Sequence, residues 1–225
     1  MLVLLIHGAY TSPWHWHRLV PFLEEAGCEV VVPELPIDDP GAGLEQYAAT
    51  VEAEFGDREE PPLVVGSSFG AVTACIVASR RAVRGLVTVC GIVPRPGEAV
   101  AADSGITQSA YNEAIEWGAD GTTTFPPRAA CEIAFNDSDP DLAQDAASRL
   151  RRQGVLPFTE PCPLEAMPDV PRRGIVAEGD RLVRPEWLAG AVRERLGVDP
   201  VKLPGDHTPM LSRPAELADL LLQMA

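Results

Sequence analysis

Basic residues and long apolar runs are both scarce in this sequence. Of 225 residues, 18 are Lys or Arg and 33 are Asp or Glu, which gives a formal net charge of −15. Because so acidic a chain repels phosphate backbones, we expect no nucleic-acid partner. The apolar run at residues 1–6 is too short to span a bilayer and has no basic segment before it. We therefore expect neither a signal peptide nor a transmembrane helix.

Signals for paired or metal-binding cysteines are also missing. The cysteines are odd in number, scattered and without a C-x-x-C pair: Cys28, Cys75, Cys90, Cys131 and Cys162. Without an export signal, this pattern predicts buried free thiols in a reducing, cytoplasmic setting. It predicts neither a disulfide framework nor a zinc site.

The remaining pattern is that of an ordinary globular α/β chain, with 46% hydrophobic and 23% charged residues. Apolar runs typical of buried strands alternate with helical patterns. The expected strands are 2–6, 29–32, 63–65, 85–90, 174–177 and 199–203, and the expected helices 14–26, 44–55, 69–80, 185–196 and 213–223. This alternation predicts a doubly wound, mostly parallel sheet of about six strands, flanked by helices.

The middle of the chain departs from this alternation. Residues 94–171 contain no clear strand run, but helical patterns recur at 109–117 and 141–152. We expect a helical cap here, inserted after the fourth strand, with residues 1–93 and 172–225 as the core. We expect several large apolar side chains of this cap to pack against another surface of the protein: Tyr111, Ile115, Trp117, Phe125, Phe135 and Phe158.

The sharpest local motif is Gly66-Ser67-Ser68-Phe69-Gly70. A nucleophile in a tight strand-to-helix turn has a strained backbone, and it needs neighbours without side chains two positions away on each side. Only Ser68 is centred between the two glycines, with a predicted strand before it and a predicted helix after it. We therefore predict that Ser68, rather than Ser67, is a nucleophile.

A serine nucleophile needs a base and an acid to orient that base. His207 lies in the loop after the last predicted strand, at the edge where open α/β sheets place ligand sites. Asp180, after the strand at 174–177, is the preferred acid, and Glu178 is the alternative. Asp206 is adjacent to His207, so we expect it to support the site or to be solvated.

Negative charge that develops on a substrate oxygen needs hydrogen-bond donors. The predicted donors are the backbone N–H groups of Phe69, after the nucleophile, and of Ala9, in the loop after the first strand. Gly8 lets the chain turn tightly beside the serine. We expect His7 to hold this loop rather than to act as a second base.

Together these residues resemble the α/β-hydrolase superfamily, and within it the branch of small esterases and hydroxynitrile lyases. The resemblance covers about residues 1–93 and 172–225. It rests on His7-Gly8-Ala9 with Trp14-His15-Trp16, on the motif at 66–70, and on Gly-Asp-His-Thr-Pro-Met-Leu-Ser-Arg-Pro at 205–214. It implies Ser68 as nucleophile, His207 as base, Asp180 as acid and the Ala9 and Phe69 amides as oxyanion hole, without metal or cofactor.

Two positions depart from the lyases of that branch. Those enzymes carry a threonine after the first-strand histidine and a lysine just after the catalytic histidine, whereas this chain has Gly8 and Thr208. Without the lysine charge, cyanide chemistry loses its electrostatic partner. The sequence thus favours a hydrolase over a lyase.

The leading expectation is a serine esterase or thioesterase that acts on a small, neutral, hydrophobic substrate. The alternatives are a non-hydrolytic enzyme of this fold (a lyase, a cyclase or an acyl transferase) and a ligand receptor. Fold alone does not separate these functions. We expect a small-molecule partner and no membrane partner, and the sequence leaves the oligomeric state open.

Overall fold

The computed structural model describes residues 1–56 and 58–224. Asp57 and Ala225, which the sequence prediction assigns to the core, lie outside the described residues. The strands are β1 Leu2–Ile6, β2 Glu29–Val31, β3 Leu63–Ser67, β4 Gly85–Val89, β5 Glu116–Trp117, β6 Thr122–Thr124, β7 Gln153–Gly154, β8 Arg172–Ala177 and β9 Val201–Leu203. Among the described residues, no helix combines the length and the apolar character needed to cross a membrane.

Helices connect most of these strands. The α-helices are α1 Val20–Glu25, α2 Leu44–Phe55, α3 Gly70–Arg80, α4 Ser109–Ala114, α5 Pro127–Ile133, α6 Pro140–Ser148, α7 Leu156–Thr159, α8 Pro185–Ala191, α9 Pro209–Ser212 and α10 Pro214–Leu222. Short helical segments of other types span Pro13–Trp16, Val100–Ala102 and Val192–Leu196.

Six of the strands form a parallel sheet in the order β2-β1-β3-β4-β8-β9. Its two faces bury alternate side chains of each strand. Leu4 and Ile6 of β1 lie in the apolar cluster that includes α2 and α3, whereas Val3 and Leu5 lie in the cluster that includes α1 and α10. The predicted doubly wound, parallel sheet flanked by helices is confirmed.

The segment between β4 and β8, called the cap below, contains α4 to α7 and a small antiparallel sheet, β5-β6-β7. The expectation that this segment has no strands is wrong. These strands have only two or three residues each, which is too short to leave the alternating pattern that identifies a strand in a sequence.

The predicted continuous helix at 14–26 is also wrong. Pro13–Trp16 forms a 3-10 turn, and α1 starts only at Val20. The reason is Pro21, which has no N–H and therefore fits the first turn of a helix but not its interior.

The register brings the carboxyl ends of the central strands to one edge. Ser67 pairs with Val89, Val89 with Ile175, and Ala177 with Leu203. The loops after β1, β3, β8 and β9 therefore open at the same edge of the sheet. This is the edge where parallel α/β sheets bind ligands.

Candidate active site

Ser68 lies in the tight turn between β3 and α3. Its φ of 52° places it in the left-handed region, which residues other than glycine rarely adopt. Its amide donates to the Val89 carbonyl at 3.0 Å, and its carbonyl accepts from Ile92 at 2.9 Å. These bonds to the last residue of β4 and to the chain after it hold the strained turn in place.

Glycines surround this turn because a side chain would collide with it. A Cβ on Gly66 would lie 2.6 Å from the Ala71 Cα, and one on Gly70 would lie 2.6 Å from the Ile6 carbonyl oxygen. A Cβ on Gly8 would lie 2.8 Å from the Ser68 Cβ. The two glycines of the motif thus have the steric role expected from the sequence. Gly8 gives the loop after β1 its close approach to Ser68.

His207 and Asp180 form a buried pair. His207 Nδ1 lies 2.7 Å from Asp180 Oδ2, and the two side chains are 5% and 0% exposed. The other carboxylate oxygen of Asp180 accepts the amides of Leu182 at 2.8 Å and Val183 at 2.9 Å. A carboxylate at Nδ1 keeps the proton on that nitrogen, which leaves Nε2 free to accept one.

The Nε2 atom of His207 is buried and has no hydrogen-bond partner among the described residues, Ser68 included. His207 and Ser68 nevertheless line the same cavity, together with Ala9 and Phe69. The structure therefore brings the predicted nucleophile, base and oxyanion loops to one cavity, with Asp180 behind His207.

Glu178, the alternative acid, lies elsewhere. Its carboxylate is on the surface and pairs with Lys202 Nζ at 2.9 Å. It directly follows the last residue of β8, whereas the chain must make a further turn to present Asp180 to His207. In this geometry Asp180, not Glu178, contacts the histidine.

Two backbone amides of residues beside Ser68 have no acceptor among the described residues. Neither the Ala9 nor the Phe69 N–H has a hydrogen-bond acceptor within the part of the chain that the structure describes. Both residues line the cavity beside Ser68. Such unpaired N–H groups can bind an oxyanion.

His7 holds the loop that carries Ala9. Its Nε2 accepts the Leu35 amide at 3.1 Å, and its Nδ1 lies 3.0 Å from the Gly8 carbonyl, to which it donates. Burial lowers the pKa of His7 to about 4, so the ring is neutral at pH 7. With both nitrogens engaged, His7 does what the sequence predicted and supports the loop.

The cavity has a volume of about 490 Å³ and lies between the central sheet and the cap. All of the large cap side chains singled out from the sequence line it. The aromatic rings around it are those of Tyr10, Trp16, Phe69, Tyr111, Trp117, Phe125, Phe135 and Phe158. Phe69 of the core and Phe158 of the cap approach to 4.1 Å between ring centroids.

The cavity wall carries little charge. Among the described residues that line it, Asp103 is the only Asp, Glu, Lys or Arg. Its carboxylate is bound by Arg195. The acidic surface therefore does not extend into the cavity, whose walls suit a neutral ligand.

Comparison with known proteins identifies the family of this chain. The model of the family described as "Alpha/beta hydrolase family" matches residues 3–220. The chain belongs to this family. The superfamily and the enzyme class predicted from the sequence, an α/β-hydrolase, are confirmed.

Similar proteins match almost all of this α/β-hydrolase. The pyrethroid hydrolase of Sphingobium wenxiniae is 24% identical over 99% of this chain and 87% of its own. The crystal structure of a pyrethroid hydrolase from Sphingobium faniae has a TM-score of 0.87 at 23% identity, covering 99% of this chain and 96% of that one. A methylesterase from Arabidopsis has a TM-score of 0.83 at 20% identity, covering 99% and 98%.

Cys90, predicted only as a buried thiol, adjoins the Asp180–His207 pair. Cys90, Asp180 and His207 form the one group of described residues whose ligand-type atoms could surround a metal, all within 4.8 Å of one another. Burial raises the pKa of the Cys90 thiol well above its usual range. Metal binding would have to release the proton of this thiol. Asp180 and His207 are already bonded to each other, and we assign no metal ligands here.

Asp206 is a second residue whose role the sequence left open. It is fully buried, and its carboxylate accepts the Thr208 amide at 3.0 Å, the Ser212 hydroxyl at 2.9 Å and the Asp137 amide at 3.0 Å. It thereby ties the His207 loop to α9 and to the cap. Asp206 is a buried support, not a solvated side chain.

Proposed function

We propose that this α/β-hydrolase cleaves a carboxylic ester or thioester of a small, neutral, hydrophobic molecule through an acyl-enzyme on Ser68. The observation that carries the proposal is the shared cavity. The strained Ser68, the free Nε2 of His207 and two unpaired amides all border one apolar space. The His207–Asp180 bond supports the assignment of base and acid.

The chemistry follows from these positions. Ser68 Oγ attacks the carbonyl carbon while its proton passes to His207 Nε2, and Asp180 stabilises the imidazolium that forms. The Ala9 and Phe69 amides bind the oxyanion, and each such donor contributes about 10²–10³ in kcat. His207 then gives its proton to the leaving alcohol or thiol, and a water activated by His207 releases the acid.

The cavity favours an ester that carries an aromatic group. Its walls are rich in aromatic rings, which stack on other rings at centroid distances of about 4.5–7 Å. The names of the similar proteins, pyrethroid hydrolase and methylesterase, support ester hydrolysis. We take the partner to be a small neutral ester.

A lyase reaction with cyanide is less well supported. At the position after His207, Thr208 donates its hydroxyl to the Ala134 carbonyl at 3.3 Å or to Asp206 at 3.2 Å. Among the described residues, no Lys or Arg lines the cavity to hold an anion. The geometry thus favours hydrolysis.

A series of p-nitrophenyl esters from acetate to decanoate tests the proposal. We expect the wild type to hydrolyse them with an optimum at an intermediate chain length, because the cavity is bounded. Ser68→Ala should lose nearly all turnover, about 10³-fold or more, and should keep its circular dichroism spectrum. Equal rates for the wild type and Ser68→Ala would overturn the proposal.

A further inference from the structure

Tyr10, next to Ala9, has a strained and firmly held backbone. Its φ is 62°, its side chain is buried, and its carbonyl accepts the Arg151 amide at 2.7 Å. The peptide unit between Ala9 and Tyr10 is planar and includes the Ala9 Cα, so whatever fixes Tyr10 also fixes the atom to which the Ala9 nitrogen is bonded. Arg151 belongs to the cap, which therefore contacts the backbone of the loop after β1, the loop that carries Ala9.

The Tyr10 side chain is bound by the cap as well. Thr123 Oγ1 donates its one proton to the Gln153 carbonyl at 3.2 Å, so Tyr10 is the donor in its 2.9 Å bond to Thr123. Tyr111 in turn donates to the Tyr10 hydroxyl at 3.2 Å. The resulting chain of hydroxyls runs in one direction, from Tyr111 through Tyr10 and Thr123 to the backbone of β7.

β7, the end of this chain, is itself anchored to the core. Gln153 Nε2 donates to the Tyr47 hydroxyl of α2 at 3.0 Å, and the Gly154 amide donates to the Ile37 carbonyl at 2.6 Å. Tyr47 and Ile37 are both fully buried. The Thr123 hydroxyl, which accepts the bond from Tyr10, is therefore bonded to a strand that is itself bonded to the core.

We infer that Tyr10 and Thr123 are positioning residues that hold the Ala9 amide toward the substrate oxyanion, so that the cap forms part of the oxyanion hole. This inference rests on the proposed function, since it takes Ala9 as an oxyanion donor. Thr123 acts through Tyr10 and needs no contact with the reacting atoms. Replacing Thr123 should therefore weaken binding of the transition state more than binding of the substrate.

Thr123→Val tests the inference in the full-length protein. It leaves the Tyr10 hydroxyl without its buried acceptor, so we expect kcat for the best p-nitrophenyl ester to fall about tenfold and KM to change less than about twofold. Thr123→Ser, which keeps the hydroxyl, should restore kcat. The matched control is Thr124→Val, at the exposed next residue of β6, which should behave as the wild type.

Two inhibitors separate positioning from direct contact. When a trifluoromethyl ketone binds, Ser68 Oγ adds to its carbonyl carbon and the serine proton passes to His207. The ketone oxygen becomes an oxyanion that the Ala9 and Phe69 amides bind. The corresponding secondary alcohol forms no oxyanion. In Thr123→Val we expect the ketone to bind about tenfold more weakly and the alcohol as before. Equal weakening of both inhibitors would show a substrate contact and overturn the inference.

Tyr10→Phe gives an independent check. It removes the other partner of the same bond, so it should cause a similar loss of kcat, and the double variant should lose no more than either single one. Additive losses would contradict a shared role. If the wild type hydrolyses esters through Ser68 but Thr123→Val equals Thr124→Val, only this inference fails. If Ser68→Ala hydrolyses esters as fast as the wild type, the proposed function fails and the inference falls with it.

Discussion

Backbone strain in the described residues is concentrated around one site. Apart from glycines, three of the described residues have a positive φ: Tyr10 at 62°, Ser68 at 52° and Cys90 at 47°. They follow β1, β3 and β4, all at the carboxyl edge of the sheet. Each such residue costs on the order of 1–3 kcal/mol and persists only where its surroundings enforce it. Hydrogen bonds across the sheet and to the cap provide that enforcement here.

Substitutions of Asp180 and Glu178 test directly which of the two carboxylates orients His207. In Asp180→Asn, an amide N–H in place of the oxygen at His207 Nδ1 favours the tautomer with its proton on Nε2, which cannot act as a base. We expect kcat to fall about 10³-fold or more, though less than on loss of Ser68 or His207, in a steady-state assay with a p-nitrophenyl ester.

The matched variant, Glu178→Gln, changes only a surface ion pair with Lys202. Such pairs contribute little, so kcat should stay within about twofold of the wild type. Full activity of Asp180→Asn together with inactivity of Glu178→Gln would show that the acid is wrongly assigned.

Among the elements, the β3–α3 turn is the one that the sequence determines most strictly. Its shape depends on close contacts with β1 and α3, where a single Cβ does not fit at Gly66 or Gly70. Because this steric requirement acts over a few residues, the motif, the flanking strand and the flanking helix could all be predicted. The local sequence of this turn thus determines the position of Ser68, the proposed nucleophile.

Gly70→Ala should therefore destabilise the protein strongly. The new Cβ would meet backbone atoms of β1, which cannot move without disturbing the sheet. We expect the free energy of unfolding to fall by about 3 kcal/mol, measured by urea denaturation. Gly190→Ala, in α8 with no atom within 4 Å of its Cβ, should instead raise it by about 0.5–1 kcal/mol. Equal stability of the two variants would contradict the steric account.

The contacts that hold the loop after β1, which carries Ala9, could not be predicted in the same way. Tyr10 and Thr123 are separated by 113 positions, and their bond depends on a cap strand only three residues long. Neither residue belongs to a motif. Cys90 likewise lies near Asp180 and His207 only because β4 and β8 are neighbours in the sheet. Contacts of this kind arise from tertiary packing and leave no periodic signal.

On the scale of the whole molecule, the central sheet and the cap enclose a neutral, aromatic cavity within an acidic protein. The chain carries a net charge of −15, yet Asp103, held by Arg195, is the only Asp, Glu, Lys or Arg among the described residues that line the cavity. Because each of them follows a strand of a parallel sheet, Ser68, Asp180 and His207 could be predicted to lie near one edge. The size of the cavity could not, because it depends on how the cap packs.

Covalent labelling with an alkyl fluorophosphonate, followed by peptide mapping, tests directly whether Ser68 is the nucleophile. Ser68 Oγ displaces fluoride from phosphorus as its proton passes to His207. We predict one label per chain, located on Ser68, with esterase activity lost in parallel. Ser67→Ala should retain this label and Ser68→Ala should lose it. A label on Ser67, or an unlabelled protein that still hydrolyses esters, would show that Ser68 is not the nucleophile.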